Sequence, residues 1–283
     1  MFKSNSILLA ACGGAVAMAA VLSGAGVGKL WASTVTFSDS FNRATTAAAT
    51  ASTNPNPIGN GWVISPVSNS STWQITASPV AGGGNVLDAI NGGDASQLNP
   101  ILMVNPGAET PATGGFAMSI DFATPNAMNQ GYYPGLVFNY QNAENYYYVR
   151  VLTGSGGTIQ MFDVVNGAAE NYLSNPSTAL SSALADNTFY NLTATSTAPY
   201  NFTFSVSTLG SSPTTLISAS ATDSGATFTG GEGGVIQQGP GGGTNDYFSN
   251  FSDTFTPVPE PATLGLVAAG GLGLLLLKRR RMV

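Results

Sequence analysis

The segment Phe116-Ala117-Met118-Ser119-Ile120-Asp121-Phe122 decides the fold, because large apolar residues alternate in it with small or polar ones. Successive side chains of a β-strand point to opposite faces, so a period of two predicts a strand with one buried face. The pattern recurs in residues 136–140, 146–152 and 202–206. Turn signals such as Asn91-Gly92-Gly93-Asp94 separate these runs. We therefore predict one all-β domain, a two-sheet sandwich, over residues 33–256.

The two ends of this domain repeat each other. Phe37-Ser38-Asp39-Ser40-Phe41 near the start matches Phe251-Ser252-Asp253-Thr254-Phe255 at the end in pattern and nearly in identity. Unpaired edge strands promote aggregation, so pairing of the two terminal segments is physically favourable. The sequence thus predicts that the first and last strands pair and close the sandwich.

The composition excludes several classes of chemistry. The chain of 283 residues has no histidine, and its single cysteine, Cys12, lies in an N-terminal apolar run. Catalytic triads that need an imidazole base and His-ligated zinc are therefore not expected, and a chain that has lost the N-terminal run would have no cysteine nucleophile or disulfide framework.

Charge is distributed unevenly along the chain. Of the 14 acidic residues, all but Glu260 lie between residues 33 and 256, whereas only Arg43 and Arg150 of the 8 basic residues do, so this segment carries a net charge of −11. Binding to nucleic acid depends on clusters of Lys and Arg that replace counterions. Nucleic acid is therefore not an expected partner. Arg150 is expected to pair with a carboxylate such as Glu144 or Asp163.

Residues 1–32 have the composition of a secretory signal peptide. Lys3 supplies a positive start, residues 7–28 are uncharged, and small residues at Ala25 or Ala32 suit a cleavage site. Two alternatives stay open. An uncleaved anchor is one, because the 22 residues from 7 to 28 can cross a bilayer. A lipoprotein signal is the other, because Leu9-Ala10-Ala11-Cys12 is similar to a bacterial lipobox.

The C-terminal residues 257–283 form a three-part pattern. Val258-Pro259-Glu260-Pro261 precedes an uncharged apolar run, residues 262–277, and the run precedes Lys278-Arg279-Arg280-Arg281. We predict a short transmembrane helix over 262–277 with its basic tail on the cytoplasmic side. At 1.5 Å per residue this helix is about 24 Å long, shorter than the roughly 30 Å hydrocarbon core of a bilayer. Such a weak anchor suits a segment that is held briefly and then cut.

This order of motif, short helix and basic tail resembles the PEP-CTERM sorting family of Gram-negative bacteria, with Val258-Pro259-Glu260-Pro261 at the position of its signature. The resemblance implies recognition by an exosortase, an inner-membrane intermediate, cleavage near the motif, and release or attachment at the cell surface. It also implies an association with exopolysaccharide. A plain C-terminal tail anchor is the alternative interpretation.

The segment between the two ends is similar to the concanavalin A-like, laminin G-type jelly roll. This resemblance implies the fold and says little about function. The residues that carry it are Phe37–Arg43, Ile58-Gly59-Asn60-Gly61-Trp62, Trp73-Gln74-Ile75, residues 135–150, Gly233-Gly234-Val235 and residues 247–251.

Aromatic side chains are candidates for contact with carbohydrate, because their rings present flat apolar faces with polar tips. Packing in the core, with no role in binding, is the alternative, since Tyr146 and Tyr148 lie on one face of a strand and Tyr147 lies on the other. The candidate residues are Tyr132, Tyr133, Tyr146 and Tyr147, in a group that also contains Tyr140 and Tyr148.

Asp39, Asp246 and Asp253 are candidate ligands of a structural Ca²⁺ ion if the end strands pair, with Asn245 and Asn250 beside them. Carboxylate and amide oxygens are the ligands that Ca²⁺ prefers. No dense Asp-x-Asp-x-Asp loop is present in the sequence, and no cofactor is expected to be required.

Glycoside hydrolysis needs two carboxylates about 5 to 5.5 Å apart for retention or roughly 6.5 to 9.5 Å apart for inversion. Glu109, Glu144, Glu170 and Glu232 are separated by tens of residues, and the Glu-x-Asp-x-Glu strand pattern of family 16 hydrolases is absent. We therefore predict a non-catalytic surface protein, structural or adhesive in an exopolysaccharide layer. The alternatives are a glycoside hydrolase whose carboxylates converge in space, and a carbohydrate-binding ectodomain on a permanent tail anchor.

Overall fold

The computed structural model describes most of the chain between residues 34 and 256, apart from residues 51–55, 57, 66–71, 81–82, 91–100, 112–114, 126–132, 168–170, 173–178, 199, 226, 229 and 239–244. The predicted signal peptide at 1–32 and the predicted transmembrane helix at 262–277 lie outside the described residues. Within them the chain forms strands, turns and loops, and no helix.

The chain forms fifteen described strands, most of them joined by turns or loops of a few residues, with longer connections between β1 and β2 and between β10 and β11. In chain order they are β1 (Val35–Asp39), β2 (Val63–Ile64), β3 (Thr72–Ala77), β4 (Asn85–Ile90), β5 (Ile101–Pro111), β6 (Phe116–Ala123), β7 (Tyr133–Asn142), β8 (Asn145–Val151), β9 (Ile159–Val164), β10 (Asn171–Tyr172), β11 (Tyr190–Ala198), β12 (Asn201–Thr208), β13 (Thr215–Thr222), β14 (Gly230–Gln238) and β15 (Asn245–Phe255).

Two sheets contain all of these strands. The eight-stranded sheet has the order β13-β12-β11-β6-β15-β4-β3, with β1 also paired to β15. The seven-stranded sheet has the order β10-β9-β8-β7-β14-β5-β2. Neighbouring strands run antiparallel throughout the described pairs. The predicted all-β sandwich is therefore confirmed.

The apolar face of each sheet packs against the other sheet. Phe116, Met118, Ile120 and Phe122 of β6 are at most 4% exposed, whereas Ala117 between them is exposed. The alternation of apolar and polar residues in the sequence therefore predicted the buried face of this strand correctly. The same separation of faces holds in β12 and β13, whose burial alternates residue by residue.

The first and last strands pair as the repeated ends of the domain predict. Phe37 of β1 lies opposite Asp253 of β15, and Asp39 lies opposite Phe251. The other edge of β15 pairs with β6, so the last strand runs through the interior of the eight-stranded sheet. Closure of the fold thus depends on both ends of the domain.

A single carboxylate, that of Asp39, connects these ends to the loop before β2. The side chain is buried, and burial by itself would raise the pKa of Asp39. Hydrogen bonds to the charged form outweigh burial and lower the pKa below its ordinary value. The donors are the Phe41 backbone N–H (2.8 Å), Asn60 Nδ2 (3.0 Å), Trp62 Nε1 (2.9 Å) and the Arg43 guanidinium.

The ring of Trp62, which is fully buried, packs into the same corner. Its centroid lies 5.2 Å from that of Phe41 and 5.1 Å from that of Phe251, the latter at a nearly perpendicular angle of 84°. Edge-to-face contacts of this kind are favourable for aromatic pairs. Polar and apolar contacts of one indole therefore join the two termini of the domain.

Replacement of Asp39 by Ala tests this connection. We expect Asp39→Ala to lower the free energy of unfolding by about 2–4 kcal/mol, because the Trp62 indole and the partly buried Arg43 guanidinium lose their acceptor. Chemical denaturation followed by tryptophan fluorescence measures the change. Ser38→Ala, on the exposed face of the same strand, is the control. Equal effects of the two substitutions would show that Asp39 has no special role.

Candidate functional site

The outer face of the seven-stranded sheet carries a second apolar cluster, separate from the core between the sheets. Its aromatic rings follow one another across β7, β8 and β9. The centroids of Tyr140 and Tyr146 are 6.0 Å apart, and those of Tyr146 and Tyr148 are 6.1 Å apart. Tyr148 stacks on Phe162 at 5.1 Å with an interplanar angle of 17°. The cluster comprises Val104, Val137, Tyr140, Tyr146, Tyr148, Phe162, Val164 and Ile236.

Arg150 ends this row of rings. Its guanidinium carbon lies 4.8 Å from the centroid of Tyr133 and 4.7 Å from that of Phe162, within the range of cation–π attraction. Its Nε donates to Gln160 Oε1 at 2.9 Å, and a terminal nitrogen donates to Gln238 Oε1. The charge, only 9% exposed, is therefore held by two aromatic faces and two amide oxygens.

The expected pairing of Arg150 with Glu144 or Asp163 is wrong. Asp163 lies opposite Tyr147, on the core face of the sheet, whereas Arg150 points to the outer face with its register partner Gln160. Glu144 is exposed in the turn between β7 and β8. The expectation relied on nearness in the sequence, which does not show on which face of β8 or β9 a side chain lies.

A pocket of about 150 Å³ opens beside Tyr133, where β8 continues into the glycine-rich loop at residues 152–157. Gly156 has a φ of +74°, and a Cβ on Gly157 would lie 1.8 Å from the carbonyl oxygen of Leu152. Both positions therefore require glycine. Leu180 N–H donates to the Gly157 carbonyl at 2.8 Å and so holds this loop in place.

The tyrosines proposed for carbohydrate contact have separate locations. Tyr133 lines the pocket, and Tyr132 lies outside the described residues. Tyr146 and Tyr147 are 1% and 0% exposed, so neither ring is open to stack on a sugar, which corrects that interpretation. Tyr147 faces the core, where its hydroxyl donates to Asp223 and where burial, followed by this bond, raises its pKa.

The three aspartates proposed as Ca²⁺ ligands are all buried, but their environments differ. Asp39 already accepts four hydrogen bonds, which corrects its assignment as a free ligand. Asp246 is completely buried near Gln237 and Asp88, and burial raises its pKa well above the ordinary value. No group of three or more His, Cys, Asp or Glu side chains in the described part of the chain is arranged to hold a metal ion.

Asp253 is fully buried on the core face of β15. Burial raises the pKa of Asp253 to about 8, and the negative charge of Glu109 adds to this effect. Among the described residues, no side chain donates a hydrogen bond to either carboxylate oxygen. Burial outweighs the hydrogen bond from the Thr254 backbone, which lowers the pKa, so the protonated form of Asp253 is favoured at neutral pH.

Sequence reasoning missed the pairing of Glu109 and Glu232, which are more than a hundred residues apart. They lie directly opposite each other on β5 and β14. Residues in such positions have Cβ atoms about 4.5–5.5 Å apart. Glu232 also lies opposite Tyr140 on β7, and burial raises its pKa, whereas Glu109 is exposed. A register shift next to Glu232 creates this pairing, and no short motif signals it.

Comparison with known proteins identifies the C-terminal segment. Residues 257–281 match the PEP-CTERM protein-sorting motif, which contains the predicted signature Val258–Pro261 and the basic residues 278–281. The recognition of this motif from the sequence is confirmed. Such a motif indicates a secreted protein that crosses the membrane and is sorted to the cell surface. No curated protein sequence matches the chain.

Solved structures share the jelly-roll fold. A protein of unknown function from Shewanella oneidensis is 15% identical, with a TM-score of 0.51 over 90% of this chain and 95% of that chain. A carbohydrate-binding module from Bacillus subtilis is 18% identical, with a TM-score of 0.46 over 68% of this chain and 94% of that chain. A lectin complexed with galactose is 12% identical, with a TM-score of 0.44 over 79% and 99% of the two chains.

The sorting residues and the predicted membrane helix lie outside the described part of the chain. Among the residues that the structure describes, no helix has the length and apolar character needed to span a membrane.

Asp253→Asn tests the state of the buried carboxyl group. The pKa of Asp253 is about 8 in the folded chain and close to 3.8 in the unfolded chain, so folding stability falls as pH rises from about 4 to 8. We expect Asp253→Asn to raise the melting temperature relative to the native chain, by a smaller amount at pH 5 than at pH 9. The melting temperature of the variant should still decline somewhat as pH rises, because the pKa values of Asp88 and Asp246 are also raised.

Thermal unfolding followed by circular dichroism at the two pH values measures this difference. The control is Glu144→Gln, which removes an exposed carboxylate. An identical loss of melting temperature between pH 5 and pH 9 in the native chain and in Asp253→Asn would contradict the assignment.

Proposed function

We propose that the chain is an exosortase substrate that acts, after release or attachment at the cell surface, as a non-catalytic structural or adhesive component of an exopolysaccharide layer. The observation that carries this proposal is the sorting motif at residues 257–281. The predicted signal peptide at residues 1–32 supports it, because export must precede sorting. The partners are an exosortase, the membrane during sorting, and extracellular polysaccharide.

The chemistry of the described domain supports a role outside the cell. Its net charge of −11 repels polyanions and provides solubility. Arg150, one of its two basic residues, is buried among Tyr133, Phe162 and two glutamine side chains, so it presents little positive charge to a ligand. A neutral polymer is therefore a better partner for this domain than an anionic one.

The pocket beside Tyr133 is the candidate contact for an individual sugar unit. Its lining combines the side chain of Tyr133, which is 9% exposed, with a glycine-rich loop. Sugars present both apolar C–H faces and hydroxyl groups, and sites of this mixed character bind them. Its volume of about 150 Å³ limits the contact to a small part of a polymer. The proposed function needs no cofactor, and Ca²⁺ at Asp246 and Asp253 stays a prediction.

Sorting is tested by Glu260→Ala expressed in the native host. We expect the native chain to lose both its first ~25 to 32 residues, as for a signal peptide, and everything beyond the Pro259-Glu260-Pro261 region. The variant should instead retain Arg281 and stay in the membrane fraction. Intact-mass spectrometry of envelope and medium proteins measures both. Thr256→Ala, just outside the motif, is the control, and normal processing of Glu260→Ala would refute the sorting mechanism.

Glycoside hydrolysis is a second candidate function, and the opposed Glu109 and Glu232 favour it. Retaining hydrolases use two carboxyl groups about 5–5.5 Å apart, one of them with a raised pKa. Glu232 has such a raised pKa, and the ring of Tyr140 lies beside it. The exposure of Glu109, which leaves its carboxylate open to water, favours the non-catalytic function.

Hydrolysis of soluble xylan or mixed-linkage β-glucan distinguishes the two functions. We expect the native chain to release no reducing ends above the level of the Glu232→Gln variant, because the Glu109 carboxylate is exposed to water. Incubation for several hours with a reducing-sugar assay measures this release. Activity that Glu232→Gln abolishes and that the control Glu144→Gln retains would establish the second function instead.

A further inference from the structure

The outer face of the eight-stranded sheet carries regular rows of hydroxyl groups. The strand registers place one Ser or Thr from each of six neighbouring strands in a single row. This row consists of Ser38, Ser252, Ser119, Thr193, Ser205 and Ser218. A second row, two residues along each strand, repeats the pattern with Thr254, Thr195, Thr203 and Ser220, and Ala117 stands in it on β6. We call these two rows the hydroxyl face.

The geometry of antiparallel strands spaces these groups evenly. Neighbouring strands lie about 4.8 Å apart, and residues i and i+2 of one strand lie about 6.8 Å apart. A row across six strands is therefore about 24 Å long. Over β11, β12 and β13 the face includes a shallow groove of about 550 Å³, lined by Thr193, Thr195, Thr203, Ser205, Ser218 and Ser220.

The hydroxyl face is uncharged, in contrast to the acidic domain that carries it. The two rows contain no charged residue. Thr193 and Ser205 form a hydroxyl pair at 2.6 Å, and Thr195 and Thr203 form another at 2.5 Å. A hydroxyl group has one donor and two acceptor sites, so each paired hydroxyl keeps further capacity. The face therefore offers both donors and acceptors to a ligand, and no charge.

The kind of ligand that suits the hydroxyl face follows from its uncharged hydroxyl groups and from the area of the two rows. The two rows cover roughly 24 by 7 Å, far below the ~800 Å² per partner of a stable protein complex. A second copy of the chain is therefore a poor occupant. A polymer with repeated hydroxyl groups suits the face better, because many weak contacts along one chain combine through multivalency. Anionic polymers are disfavoured by the net charge of −11.

We propose that the hydroxyl face binds an extended, neutral polysaccharide that runs across the strands along the rows. The proposal deepens the proposed function and rests on it for the location of the polymer at the cell surface. The contact is independent of the pocket beside Tyr133, because the two lie on different sheets. Two separate contacts on one domain would allow it to cross-link polysaccharide chains.

The test uses the purified chain in affinity electrophoresis through gels that contain soluble xylan, mixed-linkage β-glucan or, for comparison, anionic alginate. We expect retardation by at least one neutral polymer and none by alginate. The combined substitution Thr193→Val, Thr195→Val and Thr203→Val removes three hydroxyl groups and keeps the β-branched shape. It should weaken the apparent affinity about tenfold or more, because three hydrogen bonds are lost.

The matched control replaces the same three residues by Ser, which keeps the hydroxyl groups, and should bind like the native chain. Thr203→Lys, a single change at an exposed position, should also weaken binding and covers the case that the triple variant does not fold. Near-ultraviolet circular dichroism verifies the fold of each variant.

The remaining outcomes overturn the proposal. The proposal is wrong if the folded triple Thr→Val variant binds as tightly as the native chain. It is also wrong if no gel that contains a neutral polysaccharide retards the native chain. Loss of retardation in Tyr133→Ala alone would assign binding to the pocket and leave the proposed function intact. Concentration-dependent self-association that the Val substitutions abolish would make a second copy the occupant. Cleavage at the motif around Glu260 is measured separately and should be normal in all of these variants. Loss of polysaccharide binding is therefore distinguished from loss of sorting.

Discussion

The carboxylate of Asp39 is the interaction on which the closed sandwich depends. It lies in the first strand, opposite Phe251 of the last strand, and accepts a hydrogen bond from the indole of Trp62. These contacts bring together segments from both ends of the domain, which are separated by more than 200 residues. The four donors to the carboxylate lie within residues 41–62, so it orders the corner in which the ring of Trp62 packs against Phe251 of the last strand.

Closure leaves two outer faces of opposite character. The outer face of the seven-stranded sheet carries a row of aromatic rings and Arg150, and these side chains are at most 9% exposed. The eight-stranded sheet turns even rows of serine and threonine outward, and these remain accessible. The two faces thus differ in accessibility: the side chains on one are buried, and those on the other are open to solvent.

Few charged side chains are present in the domain, and several of its carboxyl groups lie in the interior. Asp246 and Asp253 are both completely buried on β15, and burial raises the pKa of each. A buried acid that stays protonated contributes little to the negative charge at the surface.

The sequence by itself determined the sorting motif, the all-β class and the pairing of the terminal strands, because each depends on local order or on a period of two along the chain. It did not determine the partner of Arg150, the burial of Tyr146 and Tyr147, the opposition of Glu109 and Glu232, or the alignment of hydroxyl groups in rows. These depend on strand register and on which outer face is covered. Register is set by the packing of the two sheets and by bulges, and only the tertiary structure decides it.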